Sequence, residues 1–293
     1  MKKLLLSLSA IAILSSSLSA QNSEFDKKFR FGLRVTPQPT WFSGSDKNNI
    51  PSGAKFGFGF GLNMEFKLSG IVGLQTGIGG DFEGAKYKFR NEAGIYQATY
   101  LMNENNEFVD PNGTTDNINN KAYKSNTAYV LKERQVKTTW ITVPVILKLS
   151  TKEFMDALKI YGMFGAEIGF RVSSKATDTY DYSGKFVDYG QNDTVYKFNR
   201  IPGIESQSDI NISKESSLIP MRLCFNAGLG GEYRLSGSTA AFVSVNYFMA
   251  LSNQMRKTSD YTFYKTEPST GKSTFINQKL KMSGIRISIG IMF

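Results

Sequence analysis

Apolar and polar residues alternate along most of the chain. From Phe56 to Leu68 every even position is apolar (Phe56, Phe58, Phe60, Leu62, Met64, Phe66, Leu68). From Lys55 to Lys67 every odd position is glycine, polar or charged. A period of two over this length predicts a strand with two unlike faces. The pattern recurs seven more times and predicts eight strands, roughly 29–41, 55–68, 71–89, 131–149, 158–176, 215–235, 239–254 and 278–293. In the last of these, Leu280 and Met282 fall out of phase with Ile285, Ile287 and Ile289, which predicts a bulge near Gly284. Each strand is long enough for the ~9–11 residues of a tilted membrane-crossing strand.

The connections alternate in length. Ser69-Gly70, Ser236-Gly237-Ser238 and the stretch TKEFMDAL are short; 43–54, 91–130, 178–214 and 256–277 are long and rich in Asn, Asp, Ser, Thr, Tyr and Gly. Parts of the long connections are read as extending the strands. Short turns at one end and long loops at the other predict an outer-membrane barrel with periplasmic turns and extracellular loops.

The placement of small and charged residues predicts which face is inside. Glycines gather on the polar face, among them Gly57, Gly59, Gly61, Gly79, Gly169, Gly228 and Gly230. The lumen of an eight-stranded barrel is just wide enough for side chains, so its inner face needs small residues. The same face carries both charge signs: Arg30, Arg34, Glu65, Lys67, Asp81, Glu83, Lys148, Glu167, Arg171, Arg222, Glu232, Arg234 and Arg286. These thirteen predict a polar lumen network of mutual pairs. The apolar face carries no charge at the strand centres, where Lys or Arg in lipid would cost ~2–4 kcal/mol each. The fold class expected is all-β: an eight-stranded antiparallel up-and-down transmembrane β-barrel with a filled lumen, spanning 21–293. A soluble barrel would need the reverse arrangement.

The N-terminus changes the picture only by directing export. Met1-Lys2-Lys3, the apolar run Leu4–Leu14 and the small residues ending at Ala20 predict a signal peptide over 1–20. No cysteine follows Ala20 directly, which argues against lipid anchoring, and the lone Cys224 allows no internal disulfide and reads as an apolar filler. Loss of Lys2 and Lys3 takes the formal charge from +10 to +8. The long loops do not hold this excess: 91–130 carries −3, 178–214 carries −2, 256–277 carries +2 and 43–54 is neutral. The basic balance therefore belongs to the lumen and rim, and it predicts contacts with outer-membrane lipid headgroups and no nucleic acid.

Catalytic chemistry is sparse. The chain has no histidine, which removes Ser/His, Cys/His and Asp/His catalysis. With one cysteine besides, a zinc site is not expected. Asp81 and Glu83 share a strand face and read as salt-bridged lumen filling. The loop acids Asp178, Asp181, Asp188 and Asp193 have calcium-ligand chemistry but read as solvated charge. Trp41, Tyr87, Trp140, Tyr161, Tyr233 and Tyr247 lie near strand ends and supply candidates for an aromatic girdle, with Trp140 on the parity of Lys148. No cofactor, no metal and no enzymatic activity are expected.

Trp140, Ile141, Val143, Pro144 and Lys148, followed by YGMFGAEIGF, by Gly228, Gly230, Glu232 and Tyr233, and by the terminal Phe293, resemble the PorT-like outer-membrane β-barrel family of Bacteroidota. Thr142 stands where that family usually has Glu, so one inward carboxylate is missing. The resemblance implies a Gram-negative envelope location and, through Phe293, a signal for the barrel-assembly machinery. Some such relatives serve the type IX secretion system. The function expected is a non-enzymatic barrel acting through loops or rim, with possible protein partners, in adhesion, envelope integrity or secretion. A narrow pore for small solutes, a type IX component and a soluble periplasmic ligand-binding barrel are the alternatives.

Overall fold

The computed structural model describes residues 28–44, 48–90, 98–110, 127–153, 157–181, 189–191, 194–196, 205–213, 218–256, 258–266 and 273–293. The expected signal segment lies outside them. The strands in chain order are β1 (Phe29–Ser43), β2 (Asn49–Lys67), β3 (Val72–Phe89), β4 (Thr99–Met102), β5 (Phe108–Val109), β6 (Thr127–Ser150), β7 (Leu158–Tyr180), β8 (Tyr189–Gln191), β9 (Thr194–Tyr196), β10 (Ser206–Asn211), β11 (Met221–Ser236), β12 (Thr239–Ala250), β13 (Thr258–Thr266), β14 (Ser273–Asn277) and β15 (Lys281–Met292).

Eight of these close a ring. β1, β2, β3, β6, β7, β11, β12 and β15 pair in that order, and β15 pairs back to β1, every pairing antiparallel. Closure leaves the ring no edge and satisfies its backbone groups between strands, as crossing a membrane demands. At one end the strands join by tight turns. Leu68 N and Ser69 N both donate to Val72 O, and Gly237 supplies the left-handed residue (φ +53°) between β11 and β12. At the other end β4 and β10 add to the upper parts of β6 and β7, and β13 joins β4 and β14. The long connections thus contain strands of their own. β2 begins six residues earlier than the alternation suggests, and β11 begins at Met221, after Pro220, rather than at 215.

The faces are strongly unlike. Phe31, Leu33, Phe58, Phe60, Ile78, Ile141, Phe164, Leu229, Val245 and Ile287 are exposed on the outside of the ring. An apolar belt of this extent exceeds what a water-soluble monomer exposes. The soluble periplasmic reading, which needs a polar exterior, does not fit it. Inside, the glycines make room. A Cβ on Gly169 would lie 2.9 Å from Arg222 Nε, one on Gly61 3.1 Å from Arg34 Nε, and one on Gly228 would overlap Asn246 Oδ1 and Val245 O.

The interior is not polar throughout. Toward the loop end the inward positions become apolar: Phe42, Ala85, Tyr87, Phe89, Val136, Cys224, Phe248, Ala250, Leu280 and Met282 form one buried cluster. This corrects the bulge expected near Gly284. The register of β15 is continuous against both β1 and β12 through Gly284, and Met282 is buried on the same side as Arg286. Leu280 and Met282 break the pattern because the lumen they enter is itself apolar. Tyr87, Trp140 and Tyr161 are likewise buried inside, while Tyr233 and Tyr247 face outward.

Two substitutions test the crowding argument. Gly228→Ala is expected to destabilise the barrel by about 1–3 kcal/mol, because neighbouring backbone cannot yield. Gly70→Ala, where a Cβ meets nothing within 4 Å, is expected to change stability by less than about 0.5 kcal/mol. The urea midpoint for loss of the faster-migrating unboiled band on a denaturing gel measures both.

Candidate functional site

The lumen charges form two layers. Nearest the turns, Arg30 Nη2 donates to Glu65 Oε2 (2.9 Å) and Glu232 Oε1 (2.8 Å), and Lys148 Nζ donates to the same two oxygens (2.9 and 3.0 Å). Two cations and two carboxylates thus close a four-membered ring, with the Lys148 ammonium 4.2 Å from the centre of the Tyr161 ring. Strands β1, β2, β6 and β11 each contribute one charge, so the ring ties together opposite walls.

The second layer lies deeper. Arg222 grips Glu83 in a bidentate pair, Nη2 to Oε1 at 2.8 Å and Nη1 to Oε2. Arg286 donates to both Glu167 oxygens (2.6 and 3.1 Å), to Glu83 Oε1 (3.2 Å) and, through Nε, to Gln38 Oε1 (2.8 Å). Gln38 Nε2 and Thr142 Oγ1 both donate to Asp81 (3.2 and 2.8 Å). Thr142 therefore holds an inward carboxylate instead of supplying one. The Arg222 guanidinium packs over Trp140 (4.4 Å) and the Arg286 guanidinium over Phe248 (4.1 Å), which join the charged layer to the apolar cluster above it.

Arg34 stands between the layers. It makes no hydrogen bond or ion pair with the described residues, lies over Gly61 and Gly79, and lines a cavity of about 40 Å³ with Asn63, Asn226 and Ser244. The Asn63 carboxamide, buried with both polar atoms unpartnered by protein, faces the same space. Such a cavity suits a few waters.

Three expected network members stand elsewhere. Lys67 is half-buried at the turn-end rim. Arg234 pairs with Glu153 across that rim at 3.5 Å. Arg171 is half-buried above the second layer and donates to Ser174 Oγ (3.3 Å). Their parity is right, but the strand is longer than the charged lumen: the first two lie at its foot, and Arg171 lies beside the bulge at Thr139/Trp140 where β7 changes inward parity.

The sequence reading missed a third cluster. Above the apolar layer, Arg134 Nε and Nη2 donate to Asp178 Oδ1 and Oδ2 (2.7 and 2.8 Å). The Tyr100 hydroxyl donates to Asp178 (3.2 Å) and shares a hydrogen bond with Tyr180 (2.7 Å). Asp178 is thus buried rather than solvated. Asp188 and Asp193 lie outside the described residues. Tyr100 also stacks on Tyr129 (5.5 Å) and meets Phe108 edge-on (5.1 Å). The even parity that Arg134 shares with Trp140 and Lys148 is the one signal that pointed it inward. Among the described residues no group of His, Cys, Asp and Glu side chains could hold a metal. Phe293, at the turn end, donates from its N to Phe31 O (2.7 Å) and packs its ring 5.5 Å from that of Phe31.

The profile of the outer membrane protein beta-barrel domain matches residues 19–204. No curated protein matches the chain. Among solved structures, the chain is similar to outer membrane protein OprG from Pseudomonas aeruginosa (9% identity, 90% of this chain and 93% of that one, TM-score 0.35). It is also similar to Neisserial surface protein A (8%, 90% and 96%, 0.34) and to Ail, the attachment invasion locus protein of Yersinia pestis (10%, 91% and 99%, 0.30).

Glu83→Gln leaves the buried Arg222 with only its longer ion pair to Glu167 (3.8 Å) and is expected to cost about 3–5 kcal/mol. Adding Arg222→Met is expected to recover part of that loss, read as coupling in a double-mutant cycle by urea titration. A second prediction concerns the upper cluster. Burial, reinforced by the Asp178 carboxylate, raises the Tyr100 hydroxyl well above its ordinary range, and burial raises Tyr180 too. Both stay protonated when folded and ionise near pH ~10 when unfolded. Their contribution is therefore complete below about pH 10 and falls as pH rises toward the folded values. Tyrosinate absorbance in this region is expected to appear together with protease cleavage near Tyr100.

Proposed function

Because the chain belongs to the outer membrane protein beta-barrel domain family, we propose that it is a closed, non-enzymatic barrel of the outer membrane that carries a folded platform on its extracellular side. The platform acts in adhesion, envelope integrity or protein secretion. One observation carries this reading: the interior is filled across at three successive heights, by the Arg30–Glu65–Lys148–Glu232 ring, the Arg222–Glu83 and Arg286–Glu167 layer, and the apolar cluster around Phe42, Tyr87, Phe248 and Met282. A barrel filled this way has no use for its lumen as a passage. What it can offer a partner is the material beyond the apolar cluster, where β4, β10, β13 and β14 widen the wall.

In this reading the lumen network is structural. It fixes the eight strands so that the platform sits on a rigid base. Phe293 serves as the signal read by the assembly machinery, and 1–20 directs export. The finer assignment to PorT-like barrels of Bacteroidota rests on Trp140, Ile141, Val143, Pro144 and Lys148. The observation that favours the narrow-pore alternative is the polar-lined cavity beside Arg34.

Planar-bilayer recording separates the two. The purified chain is expected to give no stable conductance steps. Long-lived open states of constant amplitude would overturn the closed reading in favour of a solute path past Arg34.

A further inference from the structure

The outer surface changes character abruptly at one height. On β6 the outward positions run from Leu149 to Ile141 as an apolar face, and on β7 they run from Ile160 to Val172. The next outward pair is Thr139 and Ser173, and the pair beyond it is two lysines. Lys137 and Lys175 are exposed and stand directly opposite each other across the β6–β7 pair, while their neighbours Val136, Thr138, Ser174 and Ala176 are buried inside. The row continues onto adjacent strands. Lys137 is paired with Gly84 on β3, and the Lys55 side chain from β2 lies over that glycine. Lys86 and Lys88 follow on β3.

Like charges directly opposite each other on a sheet destabilise it. Acidic residues barely offset this row: Glu133 meets Lys86 at 3.6 Å and Asp209 meets Lys175 at 3.8 Å. Lys55, Lys88 and Lys137 have no acidic partner among the described residues.

The height of the row decides what compensates it. A strand rises ~3.3 Å per residue and tilts by ~40° in such barrels, so the ~12 residues from Leu149 to Lys137 span about 30 Å along the membrane normal. The apolar band of an outer-membrane barrel is about 25 Å tall. Lys137 and Lys175 therefore lie at the headgroup level of the leaflet on the loop side. We infer that this row, centred on Lys137 and Lys175, is a binding surface for phosphate groups on the lipid headgroups of the loop-side leaflet. A phosphate between the facing ammonium groups replaces repulsion with two charge-assisted contacts. The inference rests on the membrane reading of the barrel and is independent of whether the lumen conducts.

The test uses the full chain in a nonionic maltoside, titrated with a bis-phosphorylated glycolipid or with the same glycolipid after phosphatase treatment. The readout is the temperature at which the faster-migrating unboiled band is lost. Wild type is expected to gain heat resistance only from the phosphorylated form. Lys137→Gln is expected to raise the half-effective lipid concentration about fivefold and Lys137→Gln/Lys175→Gln roughly 30-fold, while Lys137→Arg/Lys175→Arg retains the wild-type response. Without glycolipid the double Gln variant is expected to be at least as heat-resistant as wild type. An unchanged lipid response in the Gln variants, an equal response to the dephosphorylated lipid, or a larger response to a sulfated polysaccharide would overturn the proposal. The band shift itself reports the folded barrel, so loss of the lipid response is distinct from failure of the barrel reading.

Discussion

The pairing of guanidinium and ammonium groups with carboxylates inside the ring is the constraint around which this barrel is organised. A closed sheet in a bilayer must turn its apolar residues outward, so polar residues are forced inward whatever their function. Charges confined there have little water to solvate them, so nearly all are held by a group of opposite charge, Arg34 beside its polar cavity being the exception. Arg30, Lys148, Arg222 and Arg286 meet Glu65, Glu83, Glu167 and Glu232 within 3.2 Å. Apart from Arg30–Glu65, which joins the neighbouring β1 and β2, these contacts join strands far apart in sequence. The network therefore sets which wall faces which, and it does so with bidentate geometry that a one-residue slip would destroy.

Packing supplies the remainder. Guanidinium groups lie over Trp140 and Phe248, and the second of these rings belongs to the apolar cluster that fills the loop-end interior. The barrel thus has two kinds of core in one lumen. The charged part lies at the depth of the membrane, where the exterior is apolar. The apolar part lies mostly higher, where the ring leaves the bilayer and can be built like the core of a soluble protein. The inversion of the outside at that height, from Ile141 and Val172 to Lys137 and Lys175, follows from the same change of solvent.

This arrangement bears on dynamics and function together. Tight turns, paired charges and glycine-spaced walls leave the lower ring little freedom. The upper segments are held by fewer cross-strand contacts and by one compact set of groups, Arg134, Asp178, Tyr100 and Tyr180. A rigid ring beneath less constrained segments is the arrangement on which the proposed role rests.

The alternation of residues by itself determined the eight strands of the ring, their antiparallel order and the facing of Arg30, Glu65, Asp81, Lys148 and Arg222, because a period of two leaves each side chain only two directions. It determined also that Gly228 and Gly169 sit where space is short. It could not show where the lumen changes from charged to apolar. Met282 and Phe248 look like errors of phase until the height of each residue is known, and height depends on register and tilt across eight strands. Nor could it find Arg134 with Asp178, or Lys137 facing Lys175, because both pairings depend on the register shift at Thr139/Trp140 that turns the even positions of β7 inward. The tertiary structure decided these because pairing partners and depth are properties of the closed ring, not of any one strand.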